Sequence, residues 1–330
     1  MQASREINEV KKNIKQGQYS EAEKRAKNII KNFPNDFNSW EILGIVYLKT
    51  KKFKDAGKVL KKALELAPKA FSVWYNLAHA LHLAGNLNSA IDGYKKCIEF
   101  KPDFLNAFLG LGKVYVEQGR FSKAEDVYRK IIDLKKNYAP AHYSLGLVLH
   151  QLGRLEEAEK NYKKSILLDP KLYQAHSNRA LILNTEGRFS EAIAGYEEAL
   201  SYSGDNAYIL NNLGNAYEAV GKIDKAISFY QKATTIEPKY ADAHYNLGIT
   251  LEKLNRDVEA KKHLRLALAA KSDFEDAKHM LSALEGITTP SAPLAYVKNL
   301  FDGYANNFEN SLLKKLEYNI PEKISKLILA

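Results

Sequence analysis

From Phe37 to Phe274 the pattern of apolar and polar positions repeats every 34 residues, without insertion or deletion. Numbering each unit 1 to 34, position 4 is Trp40, Trp74, Phe108, His142, His176, Leu210 and His244. Position 8 is always small, from Gly44 and Ala78 to Gly248, and position 20 is alanine in every unit, from Ala56 to Ala260. Position 11 is large, from Tyr47 and Leu81 to Leu251. Positions 4, 7, 8 and 11 share one stripe of a helix, and 20, 24 and 27 share one stripe of a second. Gly85, Gly119, Gly153, Gly187 and Gly221 stand between them at position 15. Each unit is therefore predicted to be a helical hairpin, with small residues at 8 and 20 admitting close approach of the two backbones. Pro68, Pro102, Pro170 and Pro238 at position 32 end the second helix, because proline lacks an N–H and turns the preceding residue away from helix. One hairpin cannot bury its apolar face alone, so neighbours must stack.

The large-Leu-Gly-Tyr run, the alanines, the aromatic and the proline resemble the tetratricopeptide repeat (TPR) family. That resemblance implies an all-α fold, a right-handed TPR superhelix built as a solenoid of helical hairpins. Residues 3–36 continue the register in weakened form, with Glu6 and Glu9 at positions 4 and 7, and are expected to be a degenerate N-terminal repeat whose polar side faces water. Seven full repeats are expected over 37–274 and a capping helix over 275–285. A linker follows at 286–293, and residues 294–330 fall outside the repeat.

With 45% hydrophobic residues, the 330-residue chain has ample apolar surface for a continuous core. The net charge of +10 is uneven, since residues 1–70 hold 16 Lys/Arg against 8 Asp/Glu. Lys51, Lys52, Lys54, Lys58, Lys61 and Lys62 cluster around one turn and the helix after it. They read as a solvated face, and without interleaved aromatics to stack bases, nucleic acid is not expected as a partner. Cys97, the single cysteine, stands at a core position and has no mate for a disulfide. The start is charged and lacks an apolar core segment, so neither a secretion signal nor a membrane span is expected, and a cytoplasmic setting is.

Positions 2, 5, 6, 9, 12 and 13 point away from the 4/7/8/11 stripe at about 100° per residue. In the TPR resemblance this face is the concave groove that holds a peptide. It carries Tyr75, Asn76, His79 and His82 in the second full repeat, Tyr143 and His150 in the fourth, and Asn178 and Asn184 in the fifth. The sixth adds Tyr208, Asn211, Asn212 and Asn215, and the seventh Tyr245 and Asn246. Amides suit a peptide backbone, and tyrosines offer flat contact area with a polar tip. Asn76, Asn178, Asn212 and Asn246 all stand at position 6. They resemble the asparagine ladder of O-linked N-acetylglucosamine transferase TPR regions, interrupted by Ile42, Gly110 and Ser144. Glu41 and Ile45 at positions 5 and 9 do not resemble the dicarboxylate clamp of chaperone-binding TPRs.

No catalytic constellation and no metal site is found in the repeats. His142, His176 and His244 face the core in different layers, and the GLG at 110–112 is a helix-packing glycine pair that follows no strand. Residues 294–330 resemble the segment that joins a TPR region to an S-adenosylmethionine-dependent methyltransferase domain in bacteria. Tyr296, Val297, Leu300, Phe301, Asp302, Tyr304, Ala305 and Phe308 match that pattern, as do Leu312, Leu316, Tyr318 and Pro321, while Glu309 and Glu317 depart from it. The resemblance makes Tyr296, Phe301, Tyr304 and Phe308 candidate lid residues over the cofactor. The glycine-rich strand and turn that hold S-adenosylmethionine are expected beyond residue 330, so this chain alone is expected to carry no cofactor. Three readings stand: a peptide-binding arm of a methyltransferase, an enzyme complete only with later residues, and a freestanding TPR adaptor, the last with a possible tie to glycosyl transfer.

Overall fold

The computed structural model describes residues 2–287. These residues form seventeen α-helices and no strand. The expected linker beyond Ile287 and the segment 294–330, with all four candidate lid residues, lie outside the described residues. The chain divides between Arg179 and Ala180 into two compact units. The N-terminal unit holds α1 (Gln2–Lys15), α2 (Tyr19–Asn32), α3 (Phe37–Lys49), α4 (Phe53–Leu66) and α5 (Phe71–Leu83). It continues with α6 (Leu87–Phe100), α7 (Leu105–Glu117), α8 (Phe121–Leu134), α9 (Ala139–Gln151) and α10 (Leu155–Leu168). Helix α11 (Tyr173–Thr185) spans the division. The C-terminal unit continues with α12 (Phe189–Ser203), α13 (Ala207–Ala219), α14 (Ile223–Ile236), α15 (Ala241–Glu252), α16 (Asp257–Ala270) and α17 (Glu275–Leu284).

Every hairpin turns through a left-handed residue at position 15. Gly85, for example, has φ +80°, which glycine adopts without steric cost. Where the sequence supplies Lys51 and Asn255 instead, the backbone takes the same path at φ +58°. The turn geometry thus follows from how the two helices pack, and overrides the local preference of a lysine.

The core is wider than the 4/7/8/11 stripe. Positions 3 and 10 are buried in all seven repeats, as Ser39, Val73 and Ala107 show for the one and Val46, Ala80 and Thr250 for the other. The reason is that α5, for instance, touches its own partner α6, the preceding α4 and the first helices on both sides, α3 and α7. Close packing of the hairpin itself rests on position 8. A Cβ on Gly112 would lie 2.6 Å from the Tyr128 ring, and one on Gly214 would lie 2.5 Å from that of Tyr230. The tyrosines at position 24 fill the space that the glycines leave.

Position 4 has a polar role that its mixed chemistry obscures. Trp40 and Trp74 donate their indole N–H to the carbonyls of Pro34 and Pro68, both at 2.8 Å. His142, His176 and His244 donate Nε2–H to the carbonyls of Lys136, Pro170 and Pro238 at 2.9, 2.9 and 3.1 Å. A ring N–H at position 4 satisfies the carbonyl left open where the preceding helix ends, so Trp and His are interchangeable there. These histidines are structural, and no group of three or more metal-ligating side chains occurs among the described residues.

Ile7 and Val10 bury one face of α1 while Glu9 and Lys12 on the opposite side are exposed. At the other end, Ala277 seats α17 on Leu264 and Ala267 of α16. Cys97 is fully buried, and burial pushes its thiol up to about 11, so it is an inert core side chain at neutral pH. Arg179, in the apolar stripe at position 7, pairs with Glu159 at 3.1 Å. No helix among the described residues is long and apolar enough to cross a membrane.

Candidate functional site

In the N-terminal unit, the face made by positions 2, 5, 6, 9 and 12 carries two adjoining hollows that share Tyr75. One, of about 310 Å³, is walled by Lys11, Glu41, Ser72 and Asn76. The other, of about 190 Å³, is lined by His79, His82, Tyr94, Asn106 and Lys113. Three expected groove residues, Tyr75, Asn76 and His79, thus come together here. Tyr75 is fixed between them by edge-on contact with Phe104, the ring centroids lying 5.2 Å apart.

The first hollow is organised by Glu41. Its carboxylate accepts the side-chain N–H of Asn76 at 2.9 Å. Burial raises its pKa, an effect opposed by hydrogen bonds from Ser72 and Asn76 and by the charge of Lys11. In the second hollow, burial lowers the pKa of His79, and His82, Lys113 and Lys49 lower it further. His82 itself lies buried, donating Nε2–H to Glu117 at 2.8 Å, and so does not stand open in the groove as its position led us to expect.

The asparagines at position 6 share a pattern. Asn76, Asn178 and Asn246 each donate to position 5 of the preceding repeat: to Glu41, to the Tyr143 hydroxyl at 3.3 Å and to Asn211 Oδ1 at 3.0 Å. The second proton of the Asn246 amide goes to Asn215 Oδ1, also at 3.0 Å. Three of the four expected ladder residues therefore form bonds between neighbouring repeats, whereas the buried Asn212 Nδ2 has no partner among the described residues.

The C-terminal unit carries this furthest. Asn211 and Asn212 are 3% and 8% exposed, against the expectation that both face an open groove. They are covered because their helix packs against others along this side as well as along the apolar stripe. Glu218 gathers the Lys253 ammonium at 2.7 Å and the hydroxyls of Tyr230 and Thr250 at 2.9 and 3.2 Å. The Tyr230 hydroxyl has Asn215 Oδ1, at 2.8 Å, as a second acceptor for its one proton. Tyr208 remains 47% exposed, and Tyr245 packs on Phe274 with ring centroids 4.9 Å apart. The sequence reasoning passed over Tyr94, Lys49, Lys113 and Gly110. The first was read as core and the last as packing; the signal available was a glycine at both positions 6 and 8 of one repeat.

Comparison with known proteins fits this architecture. A chain of the APC/C hetero-tetramer Cut9–Hcn1 superposes with a TM-score of 0.61 at 16% identity, over 81% of this chain; the match spans 52% of that chain's length. A tetratricopeptide repeat protein from Parabacteroides merdae superposes with a TM-score of 0.59 at 18% identity, covering 76% of this chain and 98% of the other. PilF of Pseudomonas aeruginosa gives 0.57 at 21% identity, covering 63% and 94%. These likenesses establish the all-α TPR fold. Among curated proteins, none matches the chain. Residues 1–65 match a family of unknown function, DUF6584. Residues 65–284, two thirds of the chain, match the C-terminal domain of cilia and flagella-associated protein 70, and the chain belongs to that family of TPR domains.

Proposed function

We propose that the chain is a protein-binding scaffold that holds an extended or helical peptide of a partner against the first helices of its hairpins. The observation that carries this reading is the pair of hollows meeting at Tyr75 in the N-terminal unit, where a half-buried aromatic is flanked by polar groups of both kinds. Concave sites with an apolar wall and a few convergent polar groups are where ligands bind. The assembly of Cut9 with Hcn1, named for a structure of the same fold, supports the reading. A reducing, cytoplasmic setting is in keeping with the single buried thiol.

A displayed library of random peptides, panned on the full chain, tests it. Tyr75→Leu, which keeps bulk but removes the flat polar face, should weaken the selected peptides at least about tenfold. Lys61→Ala, in the exposed lysine cluster of α4, should leave them unchanged. Peptides that ignore Tyr75→Leu and lose binding with Lys61→Ala would place the interaction elsewhere and overturn the proposal.

A second, finer reading rests on the sequence pattern from Tyr296 to Pro321: the scaffold is the recruiting arm of an S-adenosylmethionine-dependent methyltransferase. Reading the coding frame past codon 330 tests it. A strand followed by a glycine-rich turn supports the arm, and a stop codon there favours a freestanding adaptor.

A further inference from the structure

Tyr94 is 1% exposed, yet its hydroxyl forms no hydrogen bond among the described residues. Two hydroxyls at the same register position, those of Tyr162 and Tyr196, are sealed in the core without a partner among the described residues, whereas that of Tyr94 is not sealed. The equivalent Tyr230 has Asn215 and Glu218 as acceptors, and Tyr128 is engaged by Ser144. What sets Tyr94 apart is the residue above it. Position 6 of the next repeat is Gly110, and a Cβ there would lie 2.8 Å from the Tyr94 oxygen and 2.4 Å from Cζ. Glycine leaves the hydroxyl uncovered at the floor of the smaller hollow.

The walls around it are rich in donors. Lys113 and Asn106 come from α7, and His79 comes from α5. Lys49 of α3 acts on His79 from the other side. Neither Lys49 nor Lys113 forms an ion pair among the described residues. Glu117, the carboxylate on this part of α7, already accepts from His82. The hollow thus offers an unpaired hydroxyl, an amide, an imidazole and the Lys113 ammonium, with no carboxylate among its lining residues.

We infer that the hollow between α5 and α7 is a carboxylate site, which anchors an aspartate or glutamate side chain of a peptide lying in the groove of the N-terminal unit. This rests on the groove reading above and names the chemistry of its ligand. A single carboxylate fits better than a phosphate: no arginine lines the hollow to grip a dianion in two places, and Glu117 would repel its second charge. At about 190 Å³ the space takes the end of one side chain rather than a folded surface.

The test uses the full chain and fluorescently labelled peptides of alternating Asp and Leu, with an amidated C-terminus. Matched peptides carry Asn or phosphoserine in place of Asp, and binding is read by anisotropy. The Asp peptide should bind at least about tenfold more tightly than the Asn peptide. Tyr94→Phe and Lys113→Gln should each cost about tenfold, the loss of one charge-assisted hydrogen bond, with the melting temperature unchanged. Tyr94→Phe keeps the packed ring and Lys113 is exposed, so both variants should fold. Equal affinity for the Asp and Asn peptides, or full affinity in Tyr94→Phe, would overturn the inference. A phosphoserine peptide that binds far more tightly than the Asp peptide would do the same, in favour of a phosphate site. Selection of neutral or basic peptides that still need Tyr75 would overturn the carboxylate alone; no peptide that needs Tyr75 would overturn the groove reading with it.

Discussion

The first helices of the two units stand on the same floor of buried tyrosines, Tyr94, Tyr128 and Tyr162 in one and Tyr196 and Tyr230 in the other, yet the side chains above the floor differ in kind. In the N-terminal unit Gly110 leaves Tyr94 open, and Lys11, Lys49 and Lys113 stand around the hollows against Glu41 and Glu117. In the C-terminal unit Asn215, Glu218, Asn246 and Lys253 bond to one another and to the floor, and Asp242 and Glu252 tip the charge of the same positions to the acidic side. The same repeat therefore yields one surface where Lys49 and Lys113 form no ion pair among the described residues and another where Asn215, Glu218, Asn246 and Lys253 are tied together. The repeat fixes where side chains stand; six positions per repeat decide whether they bind a partner or each other.

The largest effect should come from making the first unit resemble the second. Gly110→Asn restores the ladder residue but drives its Cβ into the Tyr94 ring, so it should cost about 1–3 kcal/mol in denaturant unfolding and abolish peptide binding. Unchanged stability would mean that the ring moves aside and that the hollow is not held open by the missing side chain.

A paired removal of hydroxyls sharpens the contrast. Tyr230→Phe should destabilise by about 1–2 kcal/mol, because Glu218 loses a donor that it holds at 2.9 Å. Tyr94→Phe should change stability by less than about 0.5 kcal/mol, since its hydroxyl makes no bond to lose. Equal costs would erase the distinction between the two floors.

A smaller effect separates the units by pH. His244 Nε2–H is committed to Pro238, so its Nδ1 accepts from His263 Nδ1–H at 3.0 Å. Burial, and then the neighbouring His244, holds the pKa of His263 down to about 4. The unfolded value is about 6.5, so the folded state binds fewer protons and stability is lost as pH falls from about 6.5 towards 4. His263→Gln should flatten this decline in unfolding measured at pH 7 and pH 5; an unaltered decline would assign it to other groups.

Much of this was legible in the residues alone. A 34-residue period with glycine at 15 and proline at 32 gives the hairpins, their turns and their stacking, because those features depend on spacing. The burial of positions 3 and 10 was not legible, since Ser39, Ala107 and Thr250 carry no strong apolar signal; what buries them is a helix from another repeat. The role of the ladder was hidden for the same reason. Asn246 reads as a surface amide until Asn211, 35 residues away, comes within 3.0 Å of it. Tyr94 and Tyr230 occupy the same register position, and only the residue above each hydroxyl tells an open site from a closed one.

The central claim is that a partner peptide lies in the groove of the N-terminal unit, over Tyr94. Hydrogen exchange of the full chain, followed by mass spectrometry with and without the alternating Asp–Leu peptide, tests it most directly. The account predicts added protection in α5 and α7 and none in α13 and α15. Protection confined to α13 and α15 would contradict it.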